Sequence, residues 1–383
     1  MKQDWQIKKL GEVCDKASSN VSQNKLENDN GEYPIYGASG FIKKVSFYHQ
    51  PKPYLSIVKD GSGVGRITKM DAFTSVIGTL QYILPKEGID LDYLNYSLMS
   101  VDFKKYVAGA AIPHIYFKDY QNEPFLWVPL AEQQRIVAYL NDTFGKLNQA
   151  KANIAQNLHN AKQLFESELN RIFTEKGDGW QEKKLGGICE TGAGGTPLKQ
   201  HKSYYENGNI PWLRSGEVCE KEIHKSELKI TELGLKNSSA KMFPINTVLI
   251  AMYGATAAQV GILKFEACTN QAVCGILPNK NSIPEYIYYC FLSKKEELIS
   301  KAVGNAQPNI SQEKIRNTSI PIPPLATQEA IVLELDALSA HTKQLEKVYQ
   351  QKLNNIEELK KRILADVFSV GASVGATLAV AQK

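Results

Sequence analysis

A chain that repeats its own opening deep into its length is constrained to fold as two related domains. Trp5-Gln-Ile-Lys-Lys-Leu-Gly-Glu-Val-Cys14 returns as Trp180-Gln-Glu-Lys-Lys-Leu-Gly-Gly-Ile-Cys189. A second echo pairs Pro129-Leu-Ala-Glu-Gln-Gln-Arg-Ile-Val137 with Pro324-Leu-Ala-Thr-Gln-Glu-Ala-Ile-Val332 at a wider offset, so the second copy carries about 20 extra residues. Two weaker echoes lie between them. Tyr54-Leu-Ser-Ile-Val-Lys-Asp-Gly61 stands beside Val248-Leu-Ile-Ala-Met-Tyr-Gly254, and Gly109-Ala-Ala-Ile-Pro-His-Ile115 beside Gly304-Asn-Ala-Gln-Pro-Asn-Ile310. The period exceeds the solenoid range of roughly 20–50 residues and reads as a duplicated domain plus connector. A chain of 383 residues has room for two domains, each able to bury its own core. Two-fold repetition suits a target with two half-sites, of which duplex DNA is the commonest.

Turn signals at Asn30-Gly31, Tyr36-Gly-Ala-Ser-Gly40, Lys59-Asp-Gly-Ser-Gly-Val-Gly65 and Leu84-Pro85 separate short apolar runs, which predicts strands and loops. From Ile89 to Tyr106 the spacing of Leu91, Leu94, Leu98 and Val101 predicts a helix, with Ile283 to Lys301 as its counterpart. Each copy is therefore expected to be a mixed α/β domain. After Pro129 the pattern changes. Leu140, Leu147, Ile154 and Ala161 keep a seven-residue step, while Val137, Phe144, Leu158, Phe165 and Ile172 fill the alternate stripe. After Pro324 the same role falls to Ile331, Leu335, Leu338, Leu345, Tyr349, Ile356, Leu359 and Ile363, up to about Val367. Each stretch is a helix of roughly 40 residues, on the order of 60 Å at about 1.5 Å per residue. Neither stripe can stay in water, and the simplest cover for each is the other.

The expected architecture is thus two similar α/β domains separated by two long antiparallel coiled-coil helices, pseudo-two-fold symmetric, with one domain near each end of the rod. The expected boundaries are 1–128 and 177–323 for the domains, 129–176 and 324–369 for the helices, and 370–383 for a tail rich in small residues. That tail has no partner in the first copy and is expected to fray or to dock near the amino terminus. Lys151 and Lys352 stand at core-type positions, where such side chains snorkel. Pro129 and Pro324 precede the helix starts, where a missing amide costs nothing.

The formal charge of +5, from 45 Lys and Arg against 40 Asp and Glu, permits a phosphate-bearing partner without demanding one. Six cysteines form no Cys-x-x-Cys pair, and Cys14 and Cys189 occupy equivalent apolar surroundings, as buried free thiols of a reducing cytoplasm would. Met1-Lys-Gln-Asp-Trp5 holds no apolar signal core and no apolar run approaches a membrane span, so a cytoplasmic location is expected.

Catalytic constellations are absent from the sequence. No Asn/Asp-Pro-Pro-aromatic motif stands where an adenine methyltransferase would need one, since Pro321-Ile-Pro-Pro324 lacks the residue that would hold the amine. Lys59-Asp-Gly-Ser-Gly-Val-Gly-Arg66 has the wrong glycine spacing for a dinucleotide fingerprint or a P-loop, and reads as a turn or a DNA-contacting hairpin. The histidines at 49, 114, 159, 201, 224 and 341 show no metal-ligand spacing. Asp60 and Glu217 are carboxylates a nuclease could use, yet nothing fixes a pair, and Asp60 is explained as a turn former.

Loop residues with DNA-compatible groups remain. Basic side chains meet phosphates, while amides, hydroxyls and guanidinium groups read base edges. The candidates are Tyr36, Ser39, Lys43, Lys59 and Ser62 in the first copy, and Thr196, Lys202, Tyr204, Arg214, Tyr253 and Gln271 in the second.

At these residues the chain resembles the specificity subunits of type I restriction-modification systems. The resemblance rests on the Trp-x-x-x-x-Leu-Gly openings at Trp5 and Trp180, Tyr33-Pro-Ile-Tyr-Gly-Ala-Ser-Gly40, and Gly194-Gly-Thr-Pro197 followed by Ile210-Pro-Trp-Leu-Arg-Ser-Gly216. It also rests on Gly304-Asn-Ala-Gln-Pro-Asn-Ile310 and on Ile322-Pro-Pro-Leu-Ala-Thr-Gln328 leading into the long helix. It covers nearly the whole chain. The resemblance implies two target-recognition domains reading a split double-stranded DNA sequence. It implies two methylation subunits that carry S-adenosylmethionine and modify adenine, and restriction subunits that use ATP and Mg2+, in a prokaryotic cytoplasm. This chain itself would bind no cofactor and no metal and would catalyse nothing. The first copy lacks the Gly-Gly-Thr-Pro and Ile-Pro-Trp-Leu segments, so the half-sites are expected to differ. Two other classes stay open: a protein-only coiled-coil scaffold or antiphage adaptor, and a fused nuclease or methyltransferase with unrecognised motifs.

Overall fold

The computed structural model describes residues 5–109, 111–175, 177, 179–300, 302 and 309–368; the expectation for the 370–383 tail lies outside them. The chain divides into two units, residues 1–155 with 350–383, and residues 156–349. Each holds one mixed α/β domain and a section of both long helices, Leu130–Thr174 and Leu325–Phe368.

In the first unit a four-stranded antiparallel sheet runs in the order Cys14–Ser18, Leu80–Pro85, Tyr54–Val58, Ile67–Met70. Tyr54–Val58 is buried along its whole length, Ser56 included, which explains why both of its faces carry apolar residues. Leu55 and Ile57 face one core cluster with the helix Leu91–Met99, while Tyr54 and Val58 face another. A three-stranded sheet, Gly40–Val45, Tyr33–Gly37 and Ser75–Val76, contains one parallel pair. Gln6–Lys9 pairs with Pro124–Trp127 to bring the domain's two ends together.

The second unit repeats these elements in the same order. Thr191–Ala193, Val273–Ile276, Val248–Ala251 and Val260–Leu263 form the matching sheet, to which Glu222–Ile223 adds a parallel edge strand. Val248 and Ile250 face one cluster, Leu249 and Ala251 another, the same two-sided burial as in the first copy. A second sheet runs Leu228–Ile230, Ile210–Leu213, Ala267–Thr269, Met242–Phe243, and Gln181–Lys184 pairs with Ser319–Ile322. The extra residues of this copy therefore supply added strands.

The long helices begin on matching anchors. Gln133 is fully buried; its Oε1 accepts from Asp90 N at 2.8 Å, and its Nε2 donates to Gly88 O at 3.0 Å and Val128 O at 2.8 Å. Gln328 does the same with Ile283 N at 3.0 Å, Asn281 O at 3.1 Å and Pro323 O at 2.9 Å. Buried tyrosines add a second tie: Tyr93 donates to Leu126 O and Tyr286 to Pro321 O, both at 2.7 Å.

Within the first unit the helix sections run antiparallel, Lys151 meeting Glu357 and Asn148 meeting Lys360, each at 2.6 Å. Lys151 thus turns its ammonium outward, as its snorkelling position predicts. Two stripe residues do not follow expectation: Leu345 is 40% exposed and Leu359 44%. A nearly straight α-helix drifts by about 20° per heptad, so a strict seven-residue step walks off the contact. Leu364, Val367 and Phe368 are buried instead, Phe368 against Tyr93 with ring centroids 5.2 Å apart.

The predicted helix Ile89 to Tyr106 is shorter, Leu91–Met99 followed by a 3-10 turn at Phe103–Tyr106. Ser100 bonds back to Ser97 O, and Asp102 caps the next turn through Lys104 N, so local polar bonds compete with helix continuation. The counterpart likewise breaks into Pro284–Ser293 and Lys295–Ser300. Cys14 and Cys189 are both free and buried, and burial pushes the Cys14 thiol up to about 12.

Candidate nucleic-acid interface

Two corresponding hairpin loops carry candidates from both copies. In the first, Val58 N donates to Arg66 O and Gly65 N to Val58 O, both at 2.9 Å. In the second, Ala251 N donates to Gln259 O at 2.9 Å and Ala258 N to Ala251 O at 2.8 Å. Each loop is then pinned to the segment after the helix: Ile115 N donates to Lys59 O and Ile310 N to Met252 O, both at 2.9 Å. The weak echoes at Tyr54 and Gly109 thus meet in space; in the second copy Asn309 and Ile310 meet the loop after Val248–Ala251, while residues 304–308 of that echo lie outside the described residues. Asp60 bridges to His114 and Tyr253 to Asn309. Ser62 and Tyr253 are exposed in these loops. Lys59 lies beside the tip in an ion pair with Asp60.

The loops differ at one strained position. Gly65 has φ +85° and Ala258 φ +62°, the left-handed region that costs a residue with a Cβ about 1–2 kcal/mol. A Cβ at Gly65 would lie 2.7 Å from Phe103 Cβ, whereas the Ala258 methyl is already packed and fully buried. Gly65→Ala is therefore expected to destabilise the first domain by about 2–4 kcal/mol. Ala258→Gly is expected to stay within about 1 kcal/mol of the parent, because lost strain offsets added chain entropy. Urea unfolding of the two variants checks the difference.

The first copy presents a hairpin. Gly37 pairs with Gly40, which leaves Ala38-Ser39 as a two-residue tip, and the Arg66 guanidinium reaches back to Ala38 O. Ser39 is exposed there, and Tyr36 packs edge-on to Phe41 at 5.9 Å. Phe41 is 59% exposed and was not among the sequence candidates, since an apolar strand residue gives no sign of facing outward. Lys43 places its ammonium on Leu26 O at 2.8 Å and Glu27 O at 3.3 Å, where it holds the preceding turn.

In the second copy Thr196, Lys202, Arg214 and Gln271 come together around a concavity of about 510 Å³ with Trp212, Tyr205, Lys199 and Asn270. The Gly-Gly-Thr-Pro loop forms its rim. Trp212 Nε1 donates to Gly195 O at 2.9 Å, and the Tyr205 hydroxyl donates to Pro197 O. Thr196 Oγ1 donates to Gln271 Oε1, which leaves the amide nitrogen of Gln271 as an outward donor. Tyr204 is half-buried under His201, rings 4.9 Å apart.

Arg214 is preorganised by two carboxylates. Glu217 accepts from Arg214 N at 2.7 Å and from Glu227 N at 2.8 Å, and Glu227 accepts from Arg214 Nη2 at 3.0 Å. The guanidinium, a five-donor group, keeps donors for a ligand. Glu217 thus aims an arginine. The three-residue spacing of Arg214 and Glu217 is the available signal for this arrangement. Among the described residues no group of three or more His, Cys, Asp and Glu could hold a metal ion, and no helix is long and apolar enough to cross a membrane.

The family described as the type I restriction modification DNA specificity domain matches residues 2–159 and again 177–358. The chain belongs to this family. The first matched stretch holds the Trp5 and Pro129 segments and the second their counterparts at Trp180 and Pro324. Among curated relatives, the EcoR124I/EcoR124II specificity subunit of Escherichia coli is 28% identical over 218 residues, covering 56% of this chain and 53% of that protein. The MjaIX specificity subunit of Methanocaldococcus jannaschii is 32% identical over 161 residues, covering 41% of this chain and 37% of the relative. The chain spans about half or less of the length of these two relatives. In fold it is similar to a chain from a type I R-M system solved for its assembly and conformational transition, at TM-score 0.74 and 18% identity, covering 96% of this chain and 98% of that one. The HsdS subunit from Thermoanaerobacter tengcongensis is similar at TM-score 0.59 and 18% identity, over 96% and 97% of the two chains. The family fold of two α/β domains joined by long helices is the fold of this chain.

Proposed function

We propose that this chain is the DNA-recognition subunit of a type I restriction-modification complex, reading a bipartite, asymmetric duplex target and catalysing nothing itself. The reading is carried by one observation: two domains with the same strand order and the same pinned hairpin present different chemistry at their candidate faces. The first offers Tyr36, Ser39 and Lys43 on one hairpin and Lys59 and Ser62 on the loop of another. The second offers Thr196, Lys202, Arg214 and Gln271 around a concavity, with Tyr204 beside Lys202 in sequence and Tyr253 on the pinned hairpin loop. Residues 1–128 and 177–323 are the reading domains on this view, and 129–176 and 324–369 are spacer helices. Two methylation subunits with S-adenosylmethionine would modify adenine, and restriction subunits with ATP and Mg2+ would cleave, in a prokaryotic cytoplasm.

A single-molecule methylation map of the host genome with and without this gene tests the function. Loss of 6-methyladenine from one gapped, asymmetric motif is expected; an unchanged map with the methylation subunits expressed would sink the reading.

Within the second half-site the two kinds of contact separate by salt. Arg214→Ala is expected to weaken binding by about 1–3 kcal/mol and to relax one base position, whereas Lys202→Ala weakens all sequences alike and lowers the salt slope by about one. Binding titrations of the assembled complex at several salt concentrations measure both.

The helices would act as a ruler. Four residues inserted in one helix would add about 6 Å, close to two base pairs at roughly 3.4 Å each. A methylated motif with an unchanged gap after such an insertion would remove the ruler from the proposal.

A further inference from the structure

Apolar packing holds a helix against a domain without fixing its rotation strongly, because burial is non-directional. A hydrogen bond to one helix position does fix rotation, since the next residue along points about 100° away at 3.6 residues per turn. Gln133 and Gln328 supply such bonds at the two helix starts, and a second one occurs in both units at corresponding places, about two turns further along. Tyr96, on the helix Leu91–Met99, donates to Asn141 Oδ1 at 2.6 Å. Tyr289, on the helix Pro284–Ser293, donates to Asp336 Oδ1. Asn141 follows Pro129 at the same interval as Asp336 follows Pro324. Each is therefore on the long helix that leaves its own domain.

The second unit adds a charge. Lys221, at the entrance to the extra edge strand Glu222–Ile223, pairs with Asp336 Oδ1. Its ammonium lies 3.4 Å from the Tyr289 hydroxyl and 4.8 Å from the centre of that ring. Burial, and then the bond to Asp336, raise the Tyr289 phenol, which stays a donor at neutral pH. Phe165 packs on the same ring from the other long helix, centroids 6.3 Å apart.

Resting on the proposed DNA-recognition role, we infer that Asn141 and Asp336 are positioning residues that, as second ties beyond the Gln133 and Gln328 anchors, complete the angular phase of each reading domain on its spacer helix. Through that phase they restrict the gap the complex accepts between half-sites. Neither residue contacts bases. The first joint is neutral and has one hydrogen bond, while the second is charged, with Asp336 held by both the Tyr289 hydroxyl and the Lys221 ammonium.

The test is a methylation map from cells carrying the full chain and its methylation subunits, with the wild type mapped in parallel. Asp336→Leu is expected to extend methylation to sites whose gap is longer or shorter by about one base pair, at roughly 3.4 Å per step, with the bases of both halves unchanged. Asp336→Asn keeps an acceptor for Tyr289, as Asn141 does for Tyr96, and is expected to restore the single gap. Methylation by Asp336→Leu confined to the wild-type gap, at any level, overturns the inference. If that variant methylates nothing, Tyr289→Phe, which removes one oxygen, is read by the same two outcomes. A wild-type map without any gapped motif would instead refute the DNA-recognition role.

Discussion

Gly195→Ala is expected to lower the second domain's unfolding midpoint sharply while leaving the first domain's unfolding transition in place. A Cβ at Gly195 would lie 2.3 Å from Ala240 N and from Ser239 C, and one at Gly194 would lie 2.2 Å from Thr269 Oγ1 and 2.3 Å from Asn270 O. Most of these obstacles are backbone, so rotamer changes cannot relieve them. Gly195 N also donates to Thr269 O at 2.9 Å and its carbonyl accepts from Trp212, so the loop cannot back away without breaking both bonds. Overpacking usually costs about 1–3 kcal/mol; with two hydrogen bonds at about 1 kcal/mol each, a loss of about 3–5 kcal/mol is expected, enough to unfold a marginal domain. Gly216→Ala is the control, because nothing lies within 4 Å of a Cβ there. Urea melts followed by tryptophan emission, which includes Trp212, separate the outcomes. A Gly195→Ala midpoint equal to that of Gly216→Ala would show that the loop can yield, and that the double glycine is not a packing requirement.

Repetition exposed the two domains because Trp5 and Trp180, or Pro129 and Pro324, open segments that do the same local work in each copy: an end-closing strand and a helix start. The mixed α/β class followed from spacing, as the buried run Tyr54–Val58 and the helix Leu91–Met99 show. Helix length did not, because Ser100 and Asp102 stop the helix through hydrogen bonds that an apolar pattern does not register. At the candidate site Ser39, Ser62 and Tyr253 lie on loops as expected, Tyr36 and Lys43 lie on strands instead, and the gathering of the second-copy residues was not legible. Trp212 pairs in parallel with Cys268, and that long-range pairing brings Arg214 beside Gln271 and the loop of Thr196. Nothing local in any of the three segments specifies it. Lys43 shows the opposite error of scale: a loop-proximal lysine whose charge is engaged by two carbonyls of its own domain.

The largest effect outside the site is expected at the buried glutamines, whose motif was legible while its work was not. Gln328→Leu would leave Ile283 N and the carbonyls of Asn281 and Pro323 without their side-chain partner at a residue with no exposed surface. An orphaned buried group costs about 1–3 kcal/mol; Pro323 O is buried while Ile283 N and Asn281 O are only partly so and cost less, so a loss of about 3–5 kcal/mol is expected. Gln328→Glu sharpens the interpretation through pH. Its carboxylate would still accept from Ile283 N, but it would face two carbonyl oxygens to which the amide donated, and only the protonated acid can donate to one of them. Burial and these oxygens raise the folded carboxyl above its unfolded value of about 4.3. The folded state then binds more protons than the unfolded state between the two values, and stability falls as pH rises through that window. The penalty relative to wild type is expected to be small near pH 4 and to grow toward pH 8. Equal penalties at both ends would mean that water enters to hydrate the carboxylate, and that the amide does not clamp the helix start in the way its three bonds describe.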